Sequence, residues 1–309
     1  MVVNIKQRLF FYWTVLKRSI TKFSEDDVFT HAAALSYYTI FSLPPMLLVI
    51  LFTTTQFYEE ATVKAALFNQ IGALVGKEGA QQLLLTIERL NVFEPTIWAT
   101  ILGGAILLFT STTVFVTLQN TLNKIFQVKP KPEGWGIIKM IKDRVLSFAL
   151  VVGVGFILLV SLAVNAFVES FGKYLEEITG IVSIAFSFVT TVFLPFVIIT
   201  LLFAMMFKFL PDARLTWRDT MFGAILTSIL FIIGKNLISF YIGNSNVAGI
   251  YDAAGSIMVI MVWVFYASLI VMYGAVFTFV HIKTQGETVI ASDFAVKVKY
   301  KEIEGKKQP

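Results

Sequence analysis

Six stretches of this chain are too long and too apolar to be packed inside a water-soluble domain: 32–54, 97–118, 145–167, 181–207, 221–242 and 256–280. Each can cross about 30 Å of hydrocarbon as a helix. A backbone in lipid must satisfy its own N–H and C=O groups, so only helices and closed barrels can span. Barrel strands alternate polar and apolar residues, and these runs do not. The expectation is an all-α integral membrane protein with six transmembrane helices. Composition agrees: 57% of the residues are hydrophobic and 15% are charged, against about 25% charged in a soluble domain.

The basic residues orient the spans. Lys6, Arg8, Lys17, Arg18 and Lys22 precede the first run. Lys124, Lys129, Lys131, Lys139, Lys142 and Arg144 follow the second, and Lys208, Arg214 and Arg218 follow the fourth. Lys283, Lys297, Lys299, Lys301, Lys306 and Lys307 follow the sixth. The other side holds only Lys64, Lys77, Arg89 and Lys173. The positive-inside rule then places both termini in the cytoplasm. The net charge of +5 becomes orientation charge and attraction to an anionic leaflet, and nucleic acid is not an expected partner.

Three regions follow. Residues 1–30 read as a cytoplasmic amphipathic helix and cap, 31–282 as the membrane domain, and 283–309 as a basic cytoplasmic tail. No cleavable signal peptide is expected, because the apolar run 9–16 is short and no small-residue cleavage site follows it. Instead Ile5, Leu9, Tyr12, Trp13, Leu16, Ile20 and Phe23 recur at helical spacing, as in a helix lying in the membrane interface. Ser24 followed by Asp27 reads as a capping box that starts the first span. The loop over 56–96 carries two apolar helical stripes and reads as an external helical cap on the bundle.

Polar and helix-breaking residues inside the runs are the candidate functional positions. Pro44 and Pro45 interrupt the first run and Pro195 the fourth. Proline removes a backbone donor and clashes with the preceding turn, so a break in each helix is expected. In lipid the freed carbonyls need partners, which a cavity or polar neighbours such as Tyr38 and Ser42 supply. Lys235 and Asn236 lie inside the fifth run, and Asp252 precedes the sixth. A lysine at mid-membrane costs about 2.5–3.5 kcal/mol. It either snorkels or pairs with a carboxylate such as Asp252, or it lines a pathway for an anionic substrate or head group. Asn123, Asp212 and Arg214 read as structural residues of the inner loops. Spans one and four, and two and five ("WATILGGAIL", "WRDTMFGAIL"), echo each other in the manner of an inverted repeat.

Catalytic and metal signals are missing. Cysteine is absent, and histidine occurs only as His31 and His281, each expected at the interface. No P-loop, dinucleotide or zinc-helix motif occurs. The chain therefore reads as a non-enzyme without metal or cofactor.

Several stretches resemble one family. "AAALSYYTIFSLPPMLLVIL", "TLNKIFQV", "IKDRVLSFALVV", "GKNLISFYIG" and above all "FKFLPDARLTWRDTMFGAIL" are similar to the YihY / virulence factor BrkB family of bacterial inner-membrane proteins. The resemblance implies a six-helix protein of the inner membrane, proposed elsewhere in the family to export lipids or small solutes. An older ribonuclease label also travels with the family, and the residues above do not support it. This chain departs at Asp252, where members commonly carry glycine, and at Val276, where they often carry glutamate. The reading is a transporter or exporter of a lipid-like or small polar solute. The alternative is a non-transporting envelope scaffold that binds partners through the external loop. Membrane lipids are the expected partners, and a homo-oligomer is compatible with both readings.

Overall fold

The computed structural model describes residues 5–55, 97–131, 188–244 and 253–298, with isolated positions between 59 and 81. The expected third span over 145–167, nearly all of the loop over 56–96, Asp252 and the tail beyond 298 lie outside the described residues. Among those described, the elements in chain order are α1 (Ile5–Glu25), α2 (Val28–Thr55), α3 (Ile97–Ile125), β1 (Val128–Pro130) and a π-helical turn (Val189–Phe193). Then come α4 (Leu194–Phe209), β2 (Ala213–Arg214), α5 (Trp217–Asn244), α6 (Ala253–Thr284), β3 (Ile290–Ala291) and β4 (Ala295–Lys297).

The helices form a bundle around α6, which packs against α1, α2, α3 and α5, while α2 pairs with α3 and α4 with α5. Among the described residues, two segments are long and apolar enough to cross a membrane, Trp217–Ile238 and Ile260–Thr284. Only 28% and 39% of them is buried, so they are not core helices wrapped in protein. Leu194–Phe209 is a shorter apolar helix.

One end of the bundle, called here the strand end, holds most of the buried core. Val15 and Val28 meet Leu122, Ile125, Phe126, Phe207, Leu210 and Val276 there, all at most 2% exposed. The helix termini at this end are built by local chemistry. Thr216 caps α5: the Asp219 N–H donates to its hydroxyl oxygen at 3.2 Å, and that hydroxyl donates to the Asp219 carboxylate. The acid in the first turn also complements the helix dipole. α6 ends in a Schellman turn, with Glu287 N–H donating to Ile282 O and Gly286 N–H to Lys283 O, both at 3.1 Å. Gly286 takes φ +82° there, a conformation only glycine adopts without strain. Gln127 ends α3 in the same left-handed region (φ 57°).

Two sequence expectations are corrected. The Ser24–Asp27 box does not start α2. α1 runs through Ser24 to Glu25, and Asp27, at φ 53°, makes the corner into α2. An aspartate tolerates this left-handed position better than most residues. Nor do Pro44 and Pro45 break the first span, because α2 is helical from Val28 to Thr55. Their fixed φ is helix-compatible, so each removes one rung, at Ile40 O and Phe41 O, without ending the helix. In lipid no water competes for the remaining bonds, which favours continuation. Pro195 behaves differently. It sits at the first turn of α4, directly after the π turn, in which Leu194 N–H donates to Val189 O.

Candidate functional site

The residues after α6 do not trail away from the bundle. They fold back and pair with both loops at the strand end. β4 runs antiparallel to β1 in the register Val128 to Lys297, Lys129 to Val296 and Pro130 to Ala295. Val298 N–H donates to Gln127 O (2.9 Å) and Lys131 N–H to Phe294 O (3.0 Å). Hydrogen-bonded pairs alternate along an antiparallel ladder, so Pro130 falls at a site that needs no N–H. β3 pairs with β2 (Ala213 to Ala291, Arg214 to Ile290), extended by Ser292 N–H donating to Asp212 O at 2.9 Å. Val289 and Ala295 are the buried anchors of this strap, at 2% and 5% exposed.

Asp212 is where the ties converge. Asn123, in the last turn of α3, donates from Nδ2 to Asp212 Oδ2 (2.9 Å) and accepts the Asp212 N–H at Oδ1 (2.7 Å). This two-point bond uses both ends of one buried amide and fixes its orientation. Arg214 reaches the strap from the other side, pairing with Asp293 at 2.5 Å, with both side chains exposed. Of the residues singled out in the sequence, the structure therefore brings together Asn123 and Asp212, with Arg214 two residues on. Nearby Lys208 donates to Leu215 O and lies 5.9 Å from the Trp217 ring.

The histidines differ from each other. His281 is 1% exposed, because α1 folds over α6. The rings of Phe11, Tyr12, Phe222 and Phe277 surround it at 4.8–6.2 Å between centroids. Its Nε2 lies 2.7 Å from Gln285. His31, at the start of α2, is half-buried. Burial, with help from the Lys124 ammonium, holds its pKa below the ordinary histidine value, and Asp27 and Asp26 offset part of this.

Farther along the bundle, α5 and α6 cross at van der Waals distance. A Cβ on Gly223 would lie 1.8 Å from the Thr278 hydroxyl, and one on Gly274 would lie 1.8 Å from the Thr227 hydroxyl. Each threonine returns its hydroxyl to the glycine carbonyl of its own helix, at 2.7 and 2.8 Å. The result is a reciprocal pair of small-residue notches, the device by which helices approach closely in lipid. About two turns beyond Thr227, Gly234 lies under Tyr266, whose hydroxyl donates to Leu230 O at 3.1 Å.

The predicted cavity residues are spread over this half. Tyr38 and Ser42 lie half-buried on α2, where Ser42 donates to Thr39 O at 2.7 Å. Lys235 is half-buried and Asn236 exposed on α5. α6 packs against both α2 and α5. At 1.5 Å per residue, Lys235 lies about 27 Å along α5 from Trp217.

Among the described residues, no group of three or more His, Asp or Glu is placed to hold a metal ion. The strap and the aromatic setting of His281 were missed in the sequence. The strap left a faint signal: in "VIASDFAVKV" apolar residues alternate around an Ser-Asp turn.

Sequence comparison gives the family. The model for virulence factor BrkB matches residues 19–296, nearly the whole chain. Similar proteins include UPF0761 membrane proteins of Ralstonia nicotianae (23% identical, over 85% of this chain and 59% of that protein) and Bordetella petrii (26%, over 84% and 56%). Another, from Psychromonas ingrahamii, is 26% identical over 87% of this chain and 85% of its own length. The chain thus spans under two thirds of the length of the first two relatives and most of the third. No solved structure matches it. With apolar helices that are long enough to span and relatives named as membrane proteins, the chain belongs to the virulence factor BrkB family of membrane proteins.

Proposed function

We propose that this protein is a multi-pass transporter or exporter of the inner membrane, with six spans and both termini in the cytoplasm, moving a lipid-like or small polar solute. The observation that carries the reading is the junction at Pro195. The π turn Val189–Phe193 shifts the hydrogen-bond register just where proline offers no N–H. Carbonyls of Thr190 and Thr191 then lack a regular helical donor. In hydrocarbon such groups are tolerated where they face protein polar groups or a water-filled cavity. Interrupted helices near the midplane are how many transporters present backbone to a substrate. The closed strand end fits one state of an alternating-access cycle.

The chain has no cysteine, so single cysteines make clean probes. Thr190→Cys, Ser42→Cys and Asn236→Cys are each treated with a membrane-impermeant thiol reagent in right-side-out and inverted membranes. Labelling of Thr190→Cys and Ser42→Cys from one side supports a cavity at that depth. Protection of both from either side, with full labelling after denaturation, overturns the transporter reading and leaves the envelope scaffold.

A further inference from the structure

We infer that Asp212 is a latch that holds the α4–α5 hairpin against the rest of the strand end, and that the strap over residues 285–298 is the stationary part it closes on. The inference rests on the transporter reading, which requires the strand end to open.

The argument is one of connectivity. β1 and β4 join the end of α3 to the strap through the pairs 127–298, 129–296 and 131–294. Val128 and Ala295 bury the seam at 2% and 5% exposed. The strap also continues directly from α6 through its Schellman turn. α3, α6 and the strap are therefore one unit. The loop between α4 and α5 shares the buried core through Leu210 and Leu215, at 2% and 4% exposed, but has fewer directional ties to that unit. β2 contributes two residues, and the Arg214–Asp293 pair is exposed on both sides, where such pairs contribute little. The buried directional tie is Asp212. Its N–H and carboxylate bind Asn123, and its carbonyl accepts Ser292 N–H. One residue thus bonds both α3 and the strap, and its release removes the loop's polar ties to both at once, leaving the apolar contact able to slide. The hairpin is held elsewhere by the tight notches at Gly223 and Gly274. That contact acts as a pivot, so release at Asp212 tilts α4 rather than detaching α5.

Two disulfides separate this from general stiffening. Ala213 and Ala291 face each other across the β2–β3 ladder, and Val128 and Lys297 across β1–β4. Both are non-hydrogen-bonded positions, where side chains approach closely. Ala213→Cys/Ala291→Cys and Val128→Cys/Lys297→Cys are made separately in the full chain and reconstituted in lipid. Amide hydrogen exchange is followed in residues 200–209 of α4, outside both ladders. Oxidising the Ala213/Ala291 pair should slow exchange there about tenfold, and oxidising the Val128/Lys297 pair should leave it unchanged, since that seam stays shut. Asn123→Ala should act in the opposite direction and speed it. A misfolded variant cannot slow exchange, so the oxidised pair keeps the test sound. Equal slowing by both disulfides, or by neither, overturns the latch. Failure of the transporter reading shows separately, as protection of Thr190→Cys and Ser42→Cys from both sides.

Discussion

At the strand end Leu122, Ile125 and Phe126 are at most 1% exposed, while farther along α5 Ile233, Leu237 and Phe240 stand 48%, 62% and 72% exposed. The two regions are held together differently. At the strand end, directional bonds do the joining: the Asn123–Asp212 pair, two short ladders and capped helix ends close over a buried core. Along the spans, where lipid is as apolar as leucine, burying more apolar surface gains nothing. There the join is steric, made by Gly223 and Gly274 lying in notches beside Thr278 and Thr227. The lesson is that each solvent selects its own cement. Near water, hydrogen bonds close the structure over a hydrophobic core. In lipid, shape does it.

The largest effect should come from breaking the steric join. In an ordinary helix, alanine for glycine stabilises. At Gly223 it should destabilise by about 1–3 kcal/mol or more, because its Cβ would also sit 2.9 Å from Gly274 O, which as backbone cannot swing away. A thermal melt in detergent with Gly223→Ala that matched or exceeded the parent would mean the crossing is looser than described. Next in size is the polar join. Asn123→Ala removes both amide contacts to the Asp212 N–H and carboxylate and should cost about 1–3 kcal/mol. The same melt reads it, and a negligible change would show that water replaces the amide easily.

A smaller effect depends on pH. The pKa of His31 is held below its ordinary value of 6.5. The folded state therefore binds its proton less readily than the unfolded one does. Stability should be complete above pH 6.5 and decline as pH falls from there towards the folded-state pKa. His31→Gln should remove that share of the decline. Identical acid profiles for parent and variant would place the pH sensitivity elsewhere. The smallest effect sharpens the contrast: Leu237→Phe, on an exposed face of α5, should change stability by less than about 0.5 kcal/mol. A large loss there would reveal a protein contact on a surface read as lipid-facing.

Much of this was legible beforehand. Apolar length alone marks α5 and α6 as membrane helices, and the residues of "FKFLPDARLTW" point to a loop where Asp212 and Arg214 serve structure. The prolines were only half legible. Pro195 does mark an irregular turn, but Pro44 and Pro45 ride inside a continuous helix. Proline deletes a donor by its covalent nature, whereas whether the helix then breaks depends on what surrounds the orphaned carbonyl. His281 was half legible for a similar reason: periodicity places it at the end of a span, and only the fold of α1 over α6 encloses it in four aromatic rings.

What the residues determined alone is the solvent of each segment, because the transfer free energy of a long apolar run is local and additive. Family membership is equally a property of the sequence. Tertiary structure alone decided that Asn123 meets Asp212 across 89 positions of chain, and that a basic tail becomes a strap. Pairings at such separations are set by which loops the packed helices bring to the same end, and no local pattern carries that information.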